Sequence, residues 1–287
     1  MANLKEIRNR ITSVSSTMQI TSAMKMVSAA KLKKAQDAIT ALKPYSEKLD
    51  ELIGVLSSGS GGIENNEYFR TNESNKILIV PITSNRGLCG AFNSNIIKET
   101  LRLKQTAFKD KTVEVLSIGK KGGDILSKSI HLKGRHDDLF DNLNFENSET
   151  VSDLIMESYR EKEYNKIILI YNHFKNAATQ LVEVDNFLPV EKIIERTEIK
   201  NFDTFFEPSE MEILKSLIPK SLKVKFYKSL RDSFASEHGA RMTAMHKATD
   251  NATELRDELK LTYNKARQAS ITNEILEIVG GAEALNN

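Results

Sequence analysis

The chain has 287 residues, 40% of them hydrophobic and 28% charged, and a formal net charge of +2. That balance excludes a disordered chain and leaves apolar material for one large core or two smaller ones. No apolar run approaches the ~18 residues of a membrane span, and the lone cysteine, Cys89, excludes an internal disulfide and suits a reducing compartment.

The charge is unevenly spread. Residues 1–40 hold seven Lys/Arg against two Asp/Glu, residues 220–287 eleven against nine, and residues 41–219 twenty-three against twenty-eight. Basic ends suit acidic protein loops, nucleic acid or a lipid surface, although any single charge of this kind is more often plain solvated surface. The opening MANLKEIRNRITSV is basic and amphipathic in the manner of a transit sequence, but Glu6 and an unbroken helical stripe mark it as mature structure.

The first helix is expected to begin at Asn3, with Glu6 as its capping-box partner. Leu4, Ile7, Ile11, Val14 and Met18 form a narrow coiled-coil seam, which then slips to Ile20, Met24 and Val27. Ala23, Ala29, Ala30 and Ala35 leave room for a close partner, and the helix runs to about Pro44, or past it with a kink. SSGSGG at 57–62 reads as a flexible joint and a first boundary.

The middle alternates strand and helix. KILIVPI (76–82), VEVLSIG (113–119) and KIILIYN (166–172) are buried strands. Helices are expected at 93–105, in GGDILSKS, and at 150–162, with one or two further strands within 179–206. That order predicts a mostly parallel, Rossmann-like sheet. Ser209 and Glu212 then open the last helix, Pro219 allows a break or a first turn, and Gly280 and Gly281 end it. Its seam is drawn through Met245, Ala252, Leu259, Ala266 and Asn273, with a second row through Ala248, Leu255, Thr262, Ala269 and Leu276. The predicted fold is α/β: a long antiparallel coiled coil of the two terminal helices plus a central α/β domain. Its segments are residues 1–56, a linker at 57–75, the domain at 76–207 and the last helix at 208–287.

Few motifs carry chemistry. In TSNRGLCGAFNSN (83–95), Gly87 and Gly90 match neither the dinucleotide fingerprint nor a phosphate loop. Cys89 has no histidine near it in sequence, so it reads as a small buried residue. His131, His136, His173, His238 and His246 show no metal spacing, and Asp137-Asp138 reads as a turn rather than an acid/base pair. Met18, Met24, Met26, Met242 and Met245 read as seam filler, while Arg267, Gln268, Thr272 and Glu274 set polar groups beside the seam. Those four are either a solvated face or directional contacts to a surrounding partner.

Four segments carry a resemblance: RNRITSVSSTMQITSAMKMVSAAKL (8–32), SNRGLCGAFN (84–93), SEHGARMTAMHKATDNA (236–252) and NKARQASITNEILEIVGGAEAL (264–285). Together they resemble the gamma subunits of bacterial F-type rotary ATP synthases, over essentially the whole chain. The resemblance implies a central-stalk rotor inside a ring of three alpha and three beta subunits. It also implies contact with an epsilon subunit and a membrane rotor ring of c subunits. No catalytic residue, cofactor or metal is implied; the beta subunits do the chemistry. The implied place is peripheral, on the cytoplasmic face of the bacterial inner membrane, attached through the complex, with no nucleic acid bound. Matched by motif, Met24, Lys25, Arg241, Gln268, Thr272 and Glu274 are the implied ring contacts, and Phe206 and Glu207 the implied contacts to epsilon and the rotor ring. Having only Cys89, the chain lacks the regulatory cysteine pair of chloroplast relatives. The competing expectation is a static coiled-coil adaptor with the same seams.

Overall fold

The computed structural model describes residues 4–59, 66–190, 207 and 209–285. They fall into two compact units: Met1–Ser28 with Met242–Asn287, and Ala29–Arg241. Two long helices, α1 (Leu4–Gly59) and α5 (Glu210–Leu285), contribute to both.

In the unit formed by the chain ends, α1 and α5 run antiparallel. Arg8 donates to the Tyr263 hydroxyl at 2.8 Å, Thr253 and Arg256 reach the Met18 sulfur at 3.4 and 3.5 Å, and Thr21 and Thr249 share a hydrogen bond at 2.8 Å. As one residue number rises, its partner's falls.

The expected slip after Met18 does not occur. The covered row continues in phase through Thr21, Lys25, Ser28, Leu32 and Ala35, whereas Ile20 and Val27 are 60% and 57% exposed. A slip would have been required to keep the seam apolar. Polar residues keep the phase instead, because Thr21 Oγ1 is satisfied by Thr249 and Ser28 Oγ donates to the Met24 carbonyl at 2.8 Å. On α5 the row Met245, Ala252, Leu259 and Ala266 is covered as expected, but Asn273, its expected last member, is exposed, and its companion row lies one residue later. Thr249, Arg256, Tyr263 and Ser270 are the half-covered positions, and Leu255 is 47% exposed.

The second unit is built on a five-stranded sheet. Its strands are β1 (Lys76–Pro81), β2 (Thr112–Ile118), β3 (His131–His136), β4 (Lys166–Phe174) and β5 (Gln180–Leu188). The order is β3-β2-β1-β4-β5, with only the β4–β5 pair antiparallel. α2 (Phe92–Gln105), α3 (Lys120–Leu126) and α4 (Phe145–Arg160) are the crossover helices. The edge strand β3 was not predicted: HLKGRH alternates exposed and half-buried positions and has no apolar run to mark it.

Strand alternation divides the core between two faces. Ile77, Ile79, Val115, Ile168 and Ile170 pack with Ile96, Ile97 and Leu126 from α2 and α3. Leu78, Val80, Leu116, Ile118 and Leu169 pack on the other face with α4 and with Leu214, Ile218, Leu222, Phe226 and Leu230 of α5. Residues 66–75 are tied to this unit: Tyr68 is 6% exposed, and Asn72 donates to the carbonyls of Tyr159 and Tyr164 at 2.9 Å.

α1 takes the longer of its two expected courses and passes Pro44. Other predicted ends move: α5 passes through Pro219 without breaking and through Gly280 and Gly281 to Leu285, and α4 starts at Phe145 behind an Asn144 cap. Ser209 caps α5 as predicted, accepting from the Glu212 amide at 3.3 Å. Of the one or two strands expected within 179–206, β5 is one; residues 191–206, like Asn3, lie outside the described residues.

Gly119 closes β2 at φ +87°, where a Cβ would stand 2.1 Å from the Thr83 carbonyl oxygen. Positive φ alone costs a residue with a side chain about 1–3 kcal/mol, and this clash is with backbone that cannot swing away. A Gly119→Ala chain is therefore expected to lose about 3 kcal/mol or more of stability, read as an earlier midpoint in urea unfolding followed by far-ultraviolet circular dichroism.

Candidate functional site

The predicted contact residues do not form one cluster. Met24 and Lys25 lie half-covered on α1, in the unit formed by the chain ends. In that unit Arg8 meets Tyr263 and Thr21 meets Thr249. This register sets Met24 and Lys25 level with residues near 247, about 30 Å along the axis from Gln268 at 1.5 Å per residue.

Gln268, Thr272 and Glu274 are exposed on α5. Gln268 and Thr272 share a face, one turn apart, and Thr272 Oγ1 donates to the Gln268 carbonyl at 2.9 Å. Glu274, two residues on, points about 200° away from Thr272. From Ile271 to Ala282 every position is exposed. Ile271, Ile275, Leu276, Ile278 and Val279, at 46 to 71% exposure, interleave with the polar group on this stretch. Glu207 is exposed, and Phe206 lies outside the described residues.

Arg241 differs from the other candidates. It is 7% exposed and belongs to the unit with the sheet. Its guanidinium donates to Glu237 at 2.5 Å and to the carbonyls of Arg86 and Gly87 at 3.0 and 3.3 Å. Motif matching implied a contact to a surrounding subunit; within the chain the guanidinium makes these three internal bonds. Sequence could not separate these, because the partners are backbone oxygens some 155 residues away. Burial lifts the Glu237 carboxyl above its usual range even with Arg241 pulling the other way.

The loop that Arg241 meets follows β1. It is held by side-chain hydrogen bonds: the Ser84 amide donates to Asn93 Oδ1 at 2.9 Å, Asn93 Nδ2 to Cys89 Sγ at 3.3 Å, and Ser84 Oγ to the Arg86 carbonyl at 2.7 Å. In doubly wound sheets, ligands bind at the carboxyl ends of strands where the order reverses. That place lies here between β1 and β4, and protein fills it. Asn172 of β4 donates to the Phe92 carbonyl at 3.2 Å, and Ala240 of α5 packs with Cys89 and Phe92.

Gly239 lets α5 approach the turn after β4, since a Cβ would lie 3.3 Å from the Ala177 Cα. The loop is thus packed as a joint against β4 and α5. Cys89 is 2% exposed, and burial pushes its thiol up, which is the opposite of an activated nucleophile. Among the described residues no group of three or more His, Cys, Asp or Glu side chains could hold a metal.

One titratable group beside this joint was weighed in the sequence only as a metal ligand. His238 is 5% exposed, stacks edge-on to Phe234 at 4.5 Å, and has no hydrogen-bond partner for either ring nitrogen among the described residues. Burial lowers its pKa to about 3, helped by the positive charges of Arg241 and Lys31. The unfolded chain, with a histidine near 6.5, takes up this proton first as pH falls. His238 therefore withdraws stability from pH 6.5 down to about pH 3 and has no effect above that window. Wild-type chain is expected to lose about 1–2 kcal/mol more than a His238→Leu chain between pH 7 and pH 5, measured by urea unfolding at both values.

Comparison with known proteins supplies the context for these surfaces. The family model described as ATP synthase matches residues 3–285. The ATP synthase gamma chain of Flavobacterium johnsoniae is 64% identical, covering all of both chains. The central stalk of the Tetrahymena thermophila mitochondrial ATP synthase, solved with its c-ring, is 28% identical with a TM-score of 0.60, over 80% of this chain and 99% of that one. The rotor of the Euglena gracilis mitochondrial enzyme shares the fold at 21% identity, with a TM-score of 0.67 over 93% and 98% of the two chains.

Proposed function

The chain belongs to the ATP synthase gamma family, and from that premise we propose which of its surfaces transmit rotation and to what. As a gamma chain it is the central-stalk rotor subunit and a non-catalytic part of the complex, whose catalytic sites lie in the beta subunits. A static adaptor is not favoured.

We propose that the antiparallel pair of α1 and α5 turns inside a ring of three alpha and three beta subunits. An epsilon subunit and a ring of c subunits would bind the sheet-bearing unit near Phe206 and Glu207. The observation that carries this is the stretch Ile271–Ala282. It exposes five large apolar side chains, and nothing among the described residues covers them. Surfaces of that kind mark a protein partner. Among the described residues no helix is long and apolar enough to cross a membrane, and the proposed attachment is through the complex. We place the subunit on the cytoplasmic face of a bacterial inner membrane. The proposed domain limits remain 1–56, 57–75, 76–207 and 208–287.

Gln268, Thr272 and Glu274 are the proposed directional contacts to the ring. Met24 and Lys25 contribute on the facing helix, and Arg241 is set apart by its burial. Hydrogen bonds at such a rim are worth about 0.5–1.5 kcal/mol each. A triple Gln268→Ala, Thr272→Val, Glu274→Gln chain is expected to assemble normally and to lower ATP synthesis about tenfold. The measurement is proton-driven synthesis by the reassembled complex in vesicles. Assembly with an undiminished rate would remove these three residues from the coupling path.

A further inference from the structure

The rotor reading leaves Arg241 without a task, since it faces inward. Its planar fork suits a position where two elements must be held at once. One arm meets Glu237 on its own helix, and the other meets the carbonyls of Arg86 and Gly87, in the loop between β1 and α2. That loop turns through Leu88 at φ +63°, a conformation that leucine rarely adopts, and the Leu88 side chain is 65% exposed, so its own packing does not hold the turn.

We propose that Arg241 is the positioning residue of the 83–91 loop, working inside the chain by clamping the loop's backbone to α5. The clamp adds to the rotor reading a route for force. The loop leaves the central strand β1, so a twist applied to the sheet is handed to α5 at Arg241 as well as through the apolar core. The bonds are charge-assisted and directional, whereas the neighbouring Ala240 contact with Cys89 and Phe92 is apolar and can slide.

The chain carries its own reporter of this loop. Cys89 is its only cysteine, is 2% exposed and accepts from Asn93 Nδ2 at 3.3 Å. The test is the rate at which a thiol reagent captures Cys89 in the native full-length chain, with amide exchange of β1 and β4 followed in parallel. Arg241→Met is expected to speed capture by more than about fivefold, the opening expected when one good hydrogen bond is lost, with strand exchange unchanged. Removing the guanidinium also removes a charge that favours the thiolate, which by itself slows the reaction. Acceleration therefore reports access and not acidity.

Glu237→Gln keeps both loop bonds and is expected to stay within about twofold of wild type. If Arg241→Met does not fold, Arg241→Lys carries the same test, keeping the charge and losing the fork. A smaller increase than fivefold, or one matched by faster strand exchange, overturns the proposal. Failure of the rotor reading would appear elsewhere, as lack of assembly with alpha and beta subunits, and would leave the thiol rate untouched.

Discussion

Burial of one face of α5 against the sheet is the interaction on which the rest depends. Leu214, Ile218, Leu222, Phe226 and Leu230 recur every fourth residue, and none is more than 3% exposed. Each such side chain contributes about 1.5–3 kcal/mol on burial, so the row supplies on the order of 10 kcal/mol. A proline inside a helix costs about 3 kcal/mol. The comparison explains why α5 runs straight through Pro219 when local propensity alone would stop it. The same reasoning covers Pro44, which is followed on α1 by the buried Leu49, Ile53 and Leu56.

Where the terminal helices meet each other, the contact is of another kind. The seam carries Thr21 against Thr249, Arg8 against Tyr263, and Arg256 beside Met18. Polar seam residues give less stability than leucine would, but they set register, because a shift leaves their hydrogen-bonding groups without partners. The small residues Ala252 and Ala266 bring the helices close on the alternate row. Position-specific bonds thus add register to the apolar contact of Ile7, Met245 and Ala252.

The legible part of the sequence was the part governed by burial. Continuous apolar runs marked β1, β2 and β4 because both their faces are covered, and strand–helix alternation gave the parallel order. What escaped was decided by polar groups. The seam was misdrawn after Met18 because Thr21 and Ser28 score as surface residues, yet each hydroxyl is satisfied within the helices. The second row on α5 was misplaced by one residue because Leu255 outscores Arg256, although it is the arginine that lies across Met18. β3 escaped because an edge strand needs no apolar face. Arg241 was legible as a residue of note from its motif, but its inward role rests on carbonyls that no pattern of side chains can display.

These differences bear on how a shaft of this sort drives three like sites. Two unlike helices have no rotational symmetry about a common axis, so each site of a threefold ring meets a different face and is stabilised in a different state. An exposed ion pair is worth only about 0–1 kcal/mol, too little for one contact to dominate. Turning also requires that contacts be released. On the proposed partner-facing stretch, polar groups scattered among apolar ones, such as Gln268 and Thr272 beside Ile271 and Ile275, would meet both needs. Each contact can be broken at small cost, and the apolar side chains still keep water from the partner. Strong, buried, charge-assisted bonds would stall such a surface, and the structure places bonds of that kind at the joint around Arg241, where nothing is required to slide.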